Sequence, residues 1–130
     1  MRQEPSKKVD SLAHSVIGAA IEVHRELGPG YVESVYQEAL AFEFRAREIP
    51  FVAQMGFEVR YKDHPVGLGR IDFLVGDLIV VELKAVDAIH PVHRAQTLHY
   101  LRALSRPLGL ILNFRTPLLK DGIERIVLSP

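Results

Sequence analysis

The sequence predicts an α/β fold, a mixed β-sheet flanked by helices with the elements in the order ααβββαββ. Three observations carry this expectation. Apolar residues recur at steps of three and four through the first third of the chain. From Phe51 to Val86 the pattern changes to branched and aromatic runs, broken at "KDH" and "GD". A helical stretch then separates the third run from a fourth, which permits a parallel crossover.

Each element has a local reason. Residues 1–8 are polar and read as a flexible tail, leaving 9–130 as a single domain. Val9, Leu12, Ala13, Val16, Ile17, Ala20, Val23 and Leu27 line one side of a first helix. "GPG" at 28–30 stops it, because Pro29 cannot continue the hydrogen-bond ladder and glycine tolerates positive φ. A second helix spans about 31–48, apolar at Val35, Ala39, Leu40, Phe42 and Phe44, and ends at Ile49-Pro50. Strands follow at 51–61, 66–75 and 78–86, with turns at 62–64 and 76–77. Pro91 suits the first turn of a third helix, 91–104. "PLGLILNF", 107–114, is almost wholly apolar and reads as a strand buried on both faces. A polar loop leads to a last strand, 123–128.

Bulk composition narrows the function classes. The chain has 130 residues, 48% hydrophobic and 25% charged, which is a globular composition. Sixteen basic residues balance sixteen acidic ones, so any attraction for a polyanion has to be local. The absence of cysteine excludes disulfides, zinc–thiolate sites and cysteine nucleophiles. No apolar run approaches the roughly 20 residues that cross a bilayer. "MRQEPSKKVD" has no apolar signal core, so no membrane partner and a cytoplasmic location are expected.

One stretch conflicts with its surroundings. "IDFLVGDLIVVELKAV", 71–86, is strongly apolar yet carries Asp72, Glu82 and Lys84. Leu78, Val80, Glu82 and Lys84 alternate onto one face of the third strand, which turns charged towards its end. A buried, unpaired carboxylate is costly. Either the charges form an internal salt bridge, or the sheet opens onto a cleft where they meet a cation. Magnesium or manganese would satisfy Asp72 and Glu82, since hard divalent ions favour carboxylate oxygens. Such an ion acidifies bound water and stabilises charge developing on phosphate, while a neighbouring lysine orients the attacking water.

Asp72, nine intervening residues and then Glu82-Leu83-Lys84 resemble the core motif of the PD-(D/E)XK nuclease superfamily. The element order is similar to that superfamily's restriction-endonuclease-like core. Gly30, Glu33 and Tyr36 in "GYVESVY" spell G-x-x-E-x-x-Y, the motif of the small bacterial and archaeal GxxExxY proteins. "AIEVHRELGPGYVESVYQEAL", "VELKAV", "PVHRAQTLHYLR" and "LILNFRTPLLKDGIERIVL" resemble the same family, over about 10–128. Ile71 stands where the superfamily motif has proline.

The resemblance implies a nuclease that hydrolyses phosphodiester bonds in DNA or RNA with Mg2+ or Mn2+. Glu33, Asp72 and Glu82 would hold the metal, aided by the backbone carbonyl of Leu83. Lys84 would be the catalytic lysine. Gln96 on the third helix, with Tyr100 one turn on, would position water or phosphate. His93 and Arg94 belong to a locally basic surface with His90, Arg102 and Arg106, extended by Lys120 and Arg125, where phosphate contacts are expected. Tyr36 is placed with the substrate-side residues, although it reads more readily as a packing residue with a bonded hydroxyl than as a catalyst. His24 reads as a hydrogen-bonded histidine. The alternative function is a binding or regulatory module that keeps the nuclease fold without catalysis. A neutral domain of this size would need a second copy or a protein partner to grip a polyanion.

Strand parity supplies a test. A two-residue hairpin at Gly76-Asp77 would pair Asp72 with Val81 and turn Asp72 away from Glu82 and Lys84. The site therefore requires an odd loop or a bulge, and a three-residue loop, Gly76 to Leu78, would set Asp72 opposite Glu82.

Overall fold

The computed structural model describes residues 6–128, so residues 1–5 of the expected tail lie outside the described residues. The elements are α1 (Lys7–Leu27), α2 (Glu33–Ala46), β1 (Phe51–Tyr61), β2 (His64–Val75), β3 (Ile79–Lys84), α3 (Pro91–Leu104), β4 (Leu108–Asn113), a 3-10 turn (Leu119–Gly122) and β5 (Ile123–Val127). Lys7 and Lys8, expected in the tail, are helical because Ser6 Oγ accepts the Val9 N–H at 3.3 Å and caps α1. No helix among the described residues is long and apolar enough to cross a membrane.

The five strands lie in sequential order, β1-β2-β3-β4-β5. Only β3–β4 is parallel, and α3 makes the crossover. β3 is central and Ile79 through Leu83 are all buried. α1 and α2 cover one face, where Phe44, Phe73, Val81, Leu110 and Phe114 form the larger core. α3 covers the other, where Leu101 packs on Ile71, Leu74 and Val80. Gly109 lets α3 approach closely: a Cβ there would meet Thr97 Cγ2 at 2.7 Å.

The β1–β2 turn is tight. Tyr61 pairs with His64, and Lys62 and Asp63 both have positive φ, as a primed hairpin turn requires. The β2–β3 turn is the odd one. Val75 pairs with Ile79, so Gly76, Asp77 and Leu78 form a three-residue loop. Leu78 leaves the expected strand because its N–H bonds to Val75 O at 3.0 Å within the turn.

β1 and β2 also change phase together. Phe51 and Phe73 face the α1/α2 core, with ring centroids 5.5 Å apart. Met55, Phe57 and Ile71, all of the same parity, face α3 instead. The switch falls between the pairs Ala53–Phe73 and Met55–Ile71, where Gln54 has φ of 52°.

Candidate active site

The register of β2 and β3 continues as Val75–Ile79, Leu74–Val80 and Phe73–Val81, so the next positions opposite each other are Asp72 and Glu82. The backbone ladder ends before them. Asp72 Oδ2 instead accepts the Leu83 N–H at 2.7 Å, so a side chain takes the place of a strand carbonyl where the sheet opens. Its other oxygen receives Gln54 Nε2 at 3.5 Å, and its backbone carbonyl receives Gln37 Nε2 from α2 at 3.4 Å. Asp72 is thus held from three elements.

Glu82 is 8% exposed, and its Oε1 is buried without a hydrogen-bond partner. Its carboxyl is pushed up to about 9, first by burial and then by the Asp72 carboxylate beside it, with Lys84 opposing them only in part. This is the pattern of two carboxylates that cannot both ionise without a counter-ion. Among the described residues the ion pairs lie elsewhere, and none joins Lys84 to Asp72 or Glu82. The internal salt bridge that would explain these charges without a ligand is absent. Lys84 is half-buried at the end of β3, where Phe114 N–H bonds to its carbonyl at 2.9 Å. Asn113 then pins the departing chain, accepting from Val86 N–H at 3.1 Å and donating to Val86 O at 2.8 Å.

α3 contributes unevenly. Tyr100 is half-buried, edge-on to Phe57 at 5.4 Å. Desolvation raises its phenol pKa, and the Glu82 and Asp72 charges add to this, so the hydroxyl stays protonated beside the carboxylates. His93 Nδ1 accepts the His90 N–H at 3.0 Å, which leaves Nε2 as the proton-bearing nitrogen. Desolvation lowers its pKa, Lys84, His90 and Arg94 lower it further, and Glu33 opposes them. Gln96 is exposed. Arg94 pairs with Glu124 at 2.7 Å on the β5 side, with its own side chain still partly exposed. The basic patch shrinks with it, because Arg106 pairs with Asp77 and Arg125 with Asp10.

α2 supplies Glu33 as its first helical residue, exposed and one turn before Gln37 on the same side of the helix. Among the described residues no three His, Asp or Glu side chains come together as a metal-holding group. Tyr36 is fully buried and stacked on Phe114 at 4.5 Å. Its hydroxyl donates to Gly28 O at 2.6 Å and accepts from Tyr31 N–H at 3.2 Å. Tyr36 thus packs with its hydroxyl bonded and locks the α1–α2 connection. His24 is likewise structural, its Nε2 lying 2.9 Å from Thr116 O.

Sequence reasoning did not single out Gln37, Gln54 or Asn113. Asn113 had a legible signal, a lone amide ending an apolar strand, whereas the two glutamines had none. A cavity of about 400 Å³ lies between the end of α1 and the 117–120 loop, but no carboxylate lines it.

A family model described as the PD-(D/E)XK nuclease superfamily matches residues 10–126. No curated protein and no solved structure matches the chain.

Proposed function

This chain belongs to the PD-(D/E)XK nuclease superfamily, and on that premise we propose that it is a divalent-metal-dependent phosphodiesterase acting on DNA or RNA. The observation that carries the reading is the orphaned, buried Oε1 of Glu82 opposite Asp72, with no lysine closing the pair. Asp72, Glu82 and the Leu83 carbonyl form an all-oxygen donor set suited to Mg2+ or Mn2+, which keep several waters. Glu33 then acts from the rim without having to touch the ion. The bound ion supplies charge neutralisation on the phosphate and a more acidic water.

The chain's own groups do the rest. Asp72, fixed through Leu83 N–H, keeps remaining lone pairs for the ion. Glu82 gives up its proton when the cation arrives. Lys84 Nζ, unengaged by either carboxylate, orients the attacking water. Tyr100 keeps its phenolic proton and donates it as a hydrogen bond to a phosphate oxygen. His93 Nε2–H does the same, and exposed Gln96 holds a water at the mouth. Zero net charge and the paired arginines favour a second copy or a partner protein as part of the grip on nucleic acid.

The test is cleavage of mixed single- and double-stranded DNA and RNA by wild type, Lys84→Ala and Asp72→Asn, in Mg2+, in Mn2+ and in chelator. Metal-dependent cleavage by wild type, reduced on the order of a hundredfold or more in both variants, is expected. Equal rates in all three, or cleavage that survives chelator, would contradict the reading. Tight nucleic-acid binding with no cleavage in either metal would favour the non-catalytic module.

A further inference from the structure

Gln54 is exposed and in the middle of β1, yet its φ of 52° is one that residues with a Cβ rarely adopt. Its own packing does not account for the strain, because Met55 and Ala53 on either side keep their partners Ile71 and Phe73 in one register. Between Phe51 and Val59 the one missing rung is that between Gln54 and Asp72; the ladder's other irregularity is the register shift at Val59/Arg60. The faces exchange at that rung. Counted from Leu74, Asp72 belongs to the face under α3, whereas counted from Ile71 it belongs to the face under α1 and α2. Its side chain therefore stands between the faces, roughly in the sheet plane, where it can reach the Leu83 N–H. A regular strand would turn the carboxylate onto one face and restore a backbone rung in its place.

We propose that Gln54 is a positioning residue for Asp72: its left-handed backbone turns the β1–β2 ribbon over at the one rung where the carboxylate leaves the ladder and meets β3. The side-chain amide, 3.5 Å from Asp72 Oδ1, steadies the same oxygen pair. Strain of this kind persists where a site depends on it. The consequence for catalysis rests on the nuclease reading, but the consequence for the Leu83 amide does not.

The experiment compares Gln54→Gly and Gln54→Val by amide hydrogen exchange at Leu83 and by kcat for Mn2+-dependent cleavage. Glycine accepts positive φ and valine resists it. Gln54→Gly, which keeps the backbone turn but loses the amide, is expected to keep Leu83 exchange within about threefold of wild type and to lower kcat far less than Gln54→Val does. Gln54→Val is expected to speed Leu83 exchange about tenfold or more and to lower kcat on the order of a hundredfold. A plain strand position gives the opposite order, because valine favours strands and glycine weakens them. That opposite order, or a Val variant with slow Leu83 exchange, would overturn the proposal. Should Gln54→Val fail to fold, Gln54→Ala replaces it: faster Leu83 exchange than in Gln54→Gly supports the proposal, and equal exchange overturns it. Absence of cleavage by the wild type would refute the nuclease reading alone, with the Leu83 comparison still deciding the role of Gln54.

Discussion

Glu82 is where electrostatics and stability meet. Its carboxyl titrates near 9 in the fold against 4.5 as a free group, chiefly because burial removes the water that would stabilise the anion. Between those two values the folded chain holds a proton that the unfolded chain has released. Its contribution to stability therefore falls as pH rises through that window; it is absent below about 4.5 and complete as a cost above about 9. Glu82→Gln preserves shape and cannot ionise. The metal-free variant should lose less Tm than wild type between pH 5 and pH 9, and at neutral pH it should be more stable by about 1–3 kcal/mol. Parallel Tm profiles for the two proteins would show that Glu82 is not the buried acid described. At this scale the sequence was informative about Asp72, Glu82 and Lys84, because charges on an apolar strand stand out. It named no partner for Tyr36 or Arg94, because Gly28 O and Glu124 come to them only through the turn after α1 and the packing of α3 on β5.

The element that makes the site is the loop from Gly76 to Leu78. Gly76 has φ of 57° and its N–H bonds to Pro50 O at 2.8 Å, so the turn is also moored to the start of β1. Its odd length sets Asp72 opposite Glu82 and keeps Val81 and Leu83 in the aromatic core. Deleting Asp77 would shorten it to an even loop and turn every β3 side chain to the other face. Glu82 and Lys84 would then point at Phe73 and Phe44. The deletion variant is expected to lose its cooperative unfolding transition by circular dichroism; a native-like melt would mean that the register is held elsewhere. Strand parity made an odd loop or a bulge legible only in company with the resemblance to the nuclease motif, since an even loop between regular strands turns the two carboxylates to opposite faces. The face switch at Gln54 and Asp72 was not legible, because glutamine carries no signal for positive φ and both strands keep their register through the change. Strand ends shifted for a related reason: Leu78, Ala85 and Val86 fit a strand by composition, but Leu78 bonds within its turn and Val86 to the Asn113 side chain.

In the whole molecule, two helices on one face and one on the other bury β3 along its length and expose only its charged end. The fold makes a dry strand and lets the sheet open where the carboxylates sit. Charge is balanced overall, and Arg94, Arg106 and Arg125 are each engaged in an internal pair, so under the proposed function the grip on a polyanion would rest on local contacts near Asp72 and Glu82. The central claim is that Asp72 and Glu82 form a cation site. Its most direct test is calorimetric titration of Mn2+ into wild type and Asp72→Ala near pH 7, in two buffers of different ionisation enthalpy. The expected result is one ion per wild-type chain with release of about one proton, as Glu82 ionises, and no saturable binding in the variant. Wild-type heats matching buffer dilution, or binding unchanged by Asp72→Ala, would contradict it.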